Sequence, residues 1–228
     1  MKTITTLLAV GFAIVAFAPI VTPSAKAELV LDNTQQLLAG SSQLRVGRLA
    51  AQGFTTTSGP WQLNSVTLHV SGTGGSDFSV SLYGNSGSNT PGALIDALSG
   101  NASPGTQDWF TYLPSSTLTL DGLTTYWIVA MGASGARYNV FRAGWNWQPE
   151  IWTPHPGLFS SDGGSTWVNI GEGGSVGAFA ISIDATSDPS AVPEPGQVAA
   201  SLLLLGGIGG YVFLKRRKAA KSAAPVPA

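Results

Sequence analysis

Gly173-Gly-Ser-Val-Gly177 has the G-x-S-x-G spacing of a nucleophile elbow, the strained turn between a strand and a helix that lifts a serine hydroxyl towards an acyl carbon. Such a serine needs a carboxylate and then a histidine later in the chain. Both histidines, His69 and His155, precede Ser175, and residues 179–183 read as a strand where the elbow needs a helix. Glycoside hydrolysis asks instead for two carboxyl groups facing one another across the scissile bond. Apart from Glu28 at its first position, Glu150 and Glu172 are the only glutamates inside the central region, each in a loop rich in Gly, Pro or Trp, and nothing in their spacing pairs them. Two histidines so far apart give no metal-ligand pair, no D-x-D-x-D-G loop carries Asp77 or Asp121 into a calcium site, and there is no cysteine. The expectation is a chain with no catalytic residue, no metal site and no cofactor.

The chemistry that remains is binding. Trp145, Trp147 and Trp152 fall within eight residues, beside Arg142, Asn146, Gln148 and Glu150. An aromatic face covers the C–H side of a pyranose while planar amides bond its hydroxyls, so this segment is a candidate carbohydrate site. Against that, strand alternation puts Trp145 and Trp147 on one face, where a sandwich would bury them, which favours core for these two and leaves Trp152 as the best exposed candidate. Next along the chain, Ser160-Ser-Asp-Gly-Gly-Ser-Thr-Trp167 fits the Asp-box pattern S-x-D-x-G-x-T-W. In β-propellers that box recurs once per blade, away from the reacting groups. Here it occurs once and reads as a hairpin staple: Asp162 accepts bonds from the turn, Gly164 supplies a positive φ and Trp167 packs beneath.

The elements that must position these residues are short. Leu63, Val66, Leu68 and Val70 fall largely on one face, as do Phe78, Val80 and Leu82, and further strand patterns occupy 29–31, 44–54, 109–113, 117–120, 125–131, 138–141, 166–170 and 178–183. Turn signals such as Ser71-Gly72, Pro91-Gly92, Asp121-Gly122 and Asp162-Gly163 separate them, and only 93–98 has the look of a single helical turn. About ten such strands predict an all-β fold, an antiparallel two-sheet sandwich of jelly-roll type.

The two ends are of another kind. Met1 and Lys2 precede an apolar run over 7–17 and then Ala25-Lys26-Ala27, the layout of a signal peptide over 1–27 cleaved after Ala27; an uncleaved N-terminal anchor is the alternative. The sandwich domain then occupies 28–186 and a proline-rich linker 187–197. Residues 198–214 carry no formal charge over 17 positions, about 25 Å of helix and the short limit for one transmembrane crossing. Lys215, Arg216, Arg217 and Lys218 open a basic tail over 215–228 that the positive-inside rule keeps cytoplasmic, so the domain faces outward. Between 28 and 196 there are twelve acidic residues against four arginines and no lysine, a net charge of −8. This argues against nucleic acid and anionic lipid as partners, since both call for cationic surface.

Val192-Pro193-Glu194-Pro195, an apolar helix and an arginine-containing basic cluster, in that order, resemble the PEP-CTERM sorting signal of bacterial exported proteins. The resemblance implies a chain delivered by the Sec translocon and signal peptidase, tethered for a time in the inner membrane, then processed by exosortase and passed to the cell surface or extracellular matrix of an organism that makes exopolysaccharide. An ordinary single-span anchor on a proline-rich stalk is the alternative. Pro193 and Pro195 hold an extended backbone that presents Glu194. Phe54, Leu63-Asn-Ser-Val-Thr-Leu68, Val80-Ser-Leu-Tyr83, Thr90-Pro-Gly92 and Leu118-Thr-Leu-Asp-Gly-Leu-Thr-Thr-Tyr-Trp127 are similar to the choice-of-anchor R class of surface domains. That likeness implies fold and location and carries no catalytic group.

Overall fold

The structure, a computed structural model, describes residues 27–132, 136–144, 146–171 and 177–187. The leader up to 26, Trp145, Glu172, Ser175, the sorting residues Val192 to Pro195, the 198–214 tract and Lys215 to Lys218 lie outside them. The described chain is all-β, in two antiparallel sheets.

The first sheet runs β1 (Ala27–Asp32), β14 (Ile181–Ser187), β4 (Trp61–Gly72), β10 (Tyr138–Ala143) and β13 (Ala178–Phe179). On it β2 (Leu38–Leu44) pairs with β10, while β7 (Asp108–Tyr112) and β8 (Leu118–Leu120) both pair with β4. The second sheet runs β12 (Val168–Asn169), β11 (Thr153–Ser160), β3 (Leu49–Thr55), β9 (Thr125–Gly132), β5 (Phe78–Asn85) and β6 (Pro91–Leu98). The chain begins and leaves the sandwich side by side, Ala27 lying opposite Thr186 on neighbouring strands.

Alternation produces the core. Leu68, Val70, Val140, Ile181 and Ile183 from the first sheet meet Phe54, Val80, Leu82 and Ile128 from the second in one buried cluster. Each such side chain contributes about 1.5–3 kcal/mol by leaving water. On β4 the apolar phase slips between Leu63 and Val66 because the register shifts there: Leu63 faces Ala185 and Ser65 faces Asp184, leaving Asn64 as the extra residue. The residues of β3 and β9 that point the other way, Ala51, Trp127 and Val129, form a second cluster with Leu158 on the outside of the second sheet, joined by Leu49, Tyr83 and Trp167.

Four local expectations are corrected. The pattern over 44–54 is two strands, because Arg45 to Arg48 turn back on themselves with Gly47 at φ 76°. Residues 93–98 belong to strand β6, since pairing with β5 overrides a weak helical preference. The pattern over 166–170 shortens to β12. The pattern over 178–183 divides at Ala180, whose N–H donates to Phe141 O at 2.8 Å while its carbonyl accepts from His69 N–H at 3.2 Å. Strand β11 was not expected, as Pro154 and Pro156 look like loop residues. It forms because Pro154 faces Phe54 and Gly157 faces Gln52, so the intervening bulge takes up a proline that has no N–H to give.

Candidate functional site

The tryptophan-rich segment leaves β10 and is fastened along β1 before entering β11. Gln148 N–H donates to Asp32 O at 2.6 Å, Asp32 N–H to Pro149 O at 3.3 Å, and the N–H groups of Ile151 and Trp152 both reach Val30 O at 2.9 and 3.1 Å. The Gln148–Pro149 peptide is cis. Fastened this way, the loop turns its rings inward. Trp147 is 2 % exposed and Trp152 is 0 % exposed. Trp152 stacks on Phe54 with centroids 4.9 Å apart and meets Trp61 edge-on at 5.5 Å.

The expectation that Trp152 is an exposed ligand ring is therefore corrected: a sugar needs an open aromatic face, and this ring closes one part of the core. Trp147 lies in the core, as alternation suggested, and Trp145 lies outside the described residues. Glu150 is exposed, its backbone bridged to Leu31, while Glu172 is not described.

The Asp box is a closed unit. Asp162 Oδ1 accepts from Thr166 N–H at 2.9 Å and from Ser160 Oγ at 2.8 Å, and its Oδ2 accepts from Thr166 Oγ1 at 2.6 Å. The hydroxyl of Ser160 in turn accepts from Gly164 N–H at 2.8 Å. Gly163 and Gly164 take the positive φ angles, 74° and 91°, that a Cβ would strain. Trp167 packs on the outer cluster, and Gly163 N–H ties the hairpin to Gly47 O at 2.8 Å. The bonds from Thr166 and Ser160 hold the Asp162 carboxyl down at about 2. The side-chain bonds of Asp162 and Ser160 all serve the turn itself, as expected of a staple.

The histidines sit on different sheets. His69, on the outer side of β4, is stacked against Trp109 at 4.5 Å and tilted against Phe141 at 5.0 Å. It is buried, and its Nδ1 has no hydrogen-bond partner. Burial lowers its pKa more than the nearby Asp108 raises it. His155 Nε2 is 2.7 Å from Thr55 Oγ1, which is 2.7 Å from Thr125 Oγ1, and burial lowers this imidazole too. Among the described residues no three His, Asp or Glu side chains gather as metal ligands.

Two buried amides escaped the sequence reading. Asn33 Nδ2 donates to Phe179 O at 2.8 Å, and its Oδ1 accepts from Ile181 N–H at 2.9 Å. Gln52 Oε1 accepts from Phe179 N–H at 3.0 Å, and its Nε2 donates to Gly53 O and His155 O. Between them they satisfy the backbone on both sides of Ala180, where β13 gives way to β14. Neither Asn33 nor Gln52 stands in a motif, so no local signal marks them.

No family model matches the chain, and no curated protein is similar to it. One solved structure, that of the infectious bursal disease virus Gx strain, is similar at 12% identity and a TM-score of 0.27 over 88% of this chain. The match spans about half of the viral chain, 52%, and at that TM-score it carries no argument about fold or function.

Proposed function

We propose that this chain is an exported, non-catalytic protein of the cell envelope or extracellular matrix, tethered by its C-terminal tract and released by exosortase at the Pro193-Glu194-Pro195 motif. The observation that carries the reading is the order of three sequence features: Val192 to Pro195, an uncharged run over 198–214, then Lys215 to Lys218. The Ala25-Lys26-Ala27 leader and the lysine-free acidic region between the ends support it. Glu28, the first residue of the cleaved chain, lies opposite Ala185, and β14 ends at Ser187 ahead of the motif, which is in keeping with a domain that keeps its strands when the tether is cut. The partners are then the Sec translocon, signal peptidase, the inner membrane for a time and exosortase, with exopolysaccharide as the surrounding polymer. The chemistry is done to this protein rather than by it.

A carbohydrate-binding role for the Trp145 to Trp152 loop has lost its support at Trp147 and Trp152, both buried. The test of the sorting reading is the mass of the surface product. The expected species begins at Glu28 and ends near Pro195, and Glu194→Ala leaves the chain uncut in the membrane fraction. A surface product that still carries Lys215 to Ala228 rules processing out.

A further inference from the structure

On one side of the sandwich β2, at the edge of the first sheet, and β12, at the edge of the second, stand apart and leave a cleft of about 260 Å³. Among the described residues its polar lining is Ser41, Ser42, Gln43 and Asn169, its apolar wall includes Phe159, and its one charged lining residue is Arg142. Among the described residues no Asp or Glu lines it; Glu172, next to the lining residue Gly171, lies outside them.

Arg142 is an unusual cation. Its Nη1 donates to Ile170 O at 3.2 Å, its Nη2 lies close against Gly40, and its Nε is buried with no hydrogen-bond partner. Among the described residues it makes no ion pair. Arg142 is half-buried, so its charge keeps contact with water, while the buried Nε donor left without an acceptor costs about 1–3 kcal/mol. Here ten acidic residues lie between 28 and 186, and none of the described ones faces Arg142. A second arginine approaches the same wall, the Arg48 guanidinium lying 5.9 Å from the centroid of the Phe159 ring.

We propose that this cleft binds a carboxylate-bearing saccharide unit, with Arg142 holding the carboxylate and Phe159 contacting the ring. Nη2 and the remaining proton of Nη1 can meet the two oxygens of a carboxylate, whereas the buried Nε takes no part. Hydroxyl and amide groups at Ser41, Gln43 and Asn169 suit sugar hydroxyls, and Phe159 offers an aromatic surface to a C–H face. The volume falls just below the range of ordinary small-molecule pockets, which fits one sugar residue of a longer chain. An acidic peptide would use the guanidinium equally but would leave this set of hydroxyls and amides without matching groups. The net charge of −8 does not exclude an anionic ligand, since charges beyond about 8 Å are largely screened at physiological salt while the arginine contact is direct. This site goes beyond the sorting reading and stands or falls separately from it.

The test is calorimetric titration of the full chain in detergent micelles with three probes of equal length: oligogalacturonate, neutral dextran and oligoglutamate. Oligogalacturonate is expected to bind, with Arg142→Gln weakening it at least roughly tenfold, the loss of one hydrogen bond to a charged group. Arg48→Gln, whose side chain is not part of the core, weakens it to a smaller degree with an unchanged melting temperature, which keeps the test meaningful should Arg142→Gln fold poorly. Arg137→Gln, at the other end of β10, leaves affinity unchanged. Equal binding of dextran, equal or tighter binding of oligoglutamate, or oligogalacturonate affinity indifferent to both Arg142→Gln and Arg48→Gln overturns the proposal.

Discussion

Trp152 illustrates how a residue's surroundings reverse its chemistry. Beside Asn146, Gln148 and Glu150 it has the neighbours of a sugar platform, yet a few backbone bonds to Val30 and Asp32 turn it onto Phe54 and Trp61. Its apolar ring gains more by closing the core than by waiting at the surface for a ligand. Trp152→Ala is expected to destabilise the domain by about 3–5 kcal/mol, the usual loss for deleting a buried large aromatic. For a domain of this size that lowers the melting temperature by roughly 6 to 20 °C, readable by circular dichroism. Trp152→Phe, which keeps a ring on Phe54, loses less. An unchanged melting temperature for Trp152→Ala would return the ring to the surface. Asp162, by contrast, was legible from sequence as an acceptor for the turn backbone, and the hydroxyls of Ser160 and Thr166 join it there, because every partner it uses lies within four residues of it.

At the scale of elements, the strands that were legible carry an apolar alternation or a short apolar run of their own, such as β4, β5 and β9. Those that were not legible depend on partners distant in the chain. Strand β11 exists because a bulge opposite β3 absorbs Pro156, and the break at Ala180 exists because one chain must serve β10 on one side and β4 further on. That break is stitched by Asn33 and Gln52, 146 and 127 residues away from Phe179. Asn33→Ala would orphan Phe179 O and Ile181 N–H, each at a cost of about 1–3 kcal/mol. Urea unfolding is expected to show a midpoint lowered accordingly, with Asn33→Asp also destabilised because a carboxylate cannot donate to Phe179 O. Wild-type stability in both variants would mean that the crossing is held by packing alone.

For the whole molecule, the titrating groups set the pH range of stability. His69 and His155 have pKa values lowered by burial, so the unfolded chain takes up their protons first and the stability they allow is full above about 6.5 and declines as pH falls. Asp162, held at about 2, stabilises the fold above the ordinary carboxyl range near 4, and that contribution disappears as pH falls through 2. Melting temperature is therefore expected to fall in two stages on acidification from pH 8. Replacing both histidines by glutamine removes the first stage, and Asp162→Asn reduces the second. A single fall below pH 4 in the parent protein would show that the imidazoles titrate normally.

Composition, alternation and turn residues by themselves determined an all-β domain, its principal strands and the Asp-box hairpin, because each of these is decided by neighbours a few positions away. The lysine-free acidic middle and the unlike ends are likewise properties of the sequence alone. Tertiary structure decided which aromatics see water, where the strand pattern breaks, and that Arg142, Phe159 and Asn169 from three elements face one cleft. Those outcomes depend on contacts across the two sheets, whose energies no local pattern contains.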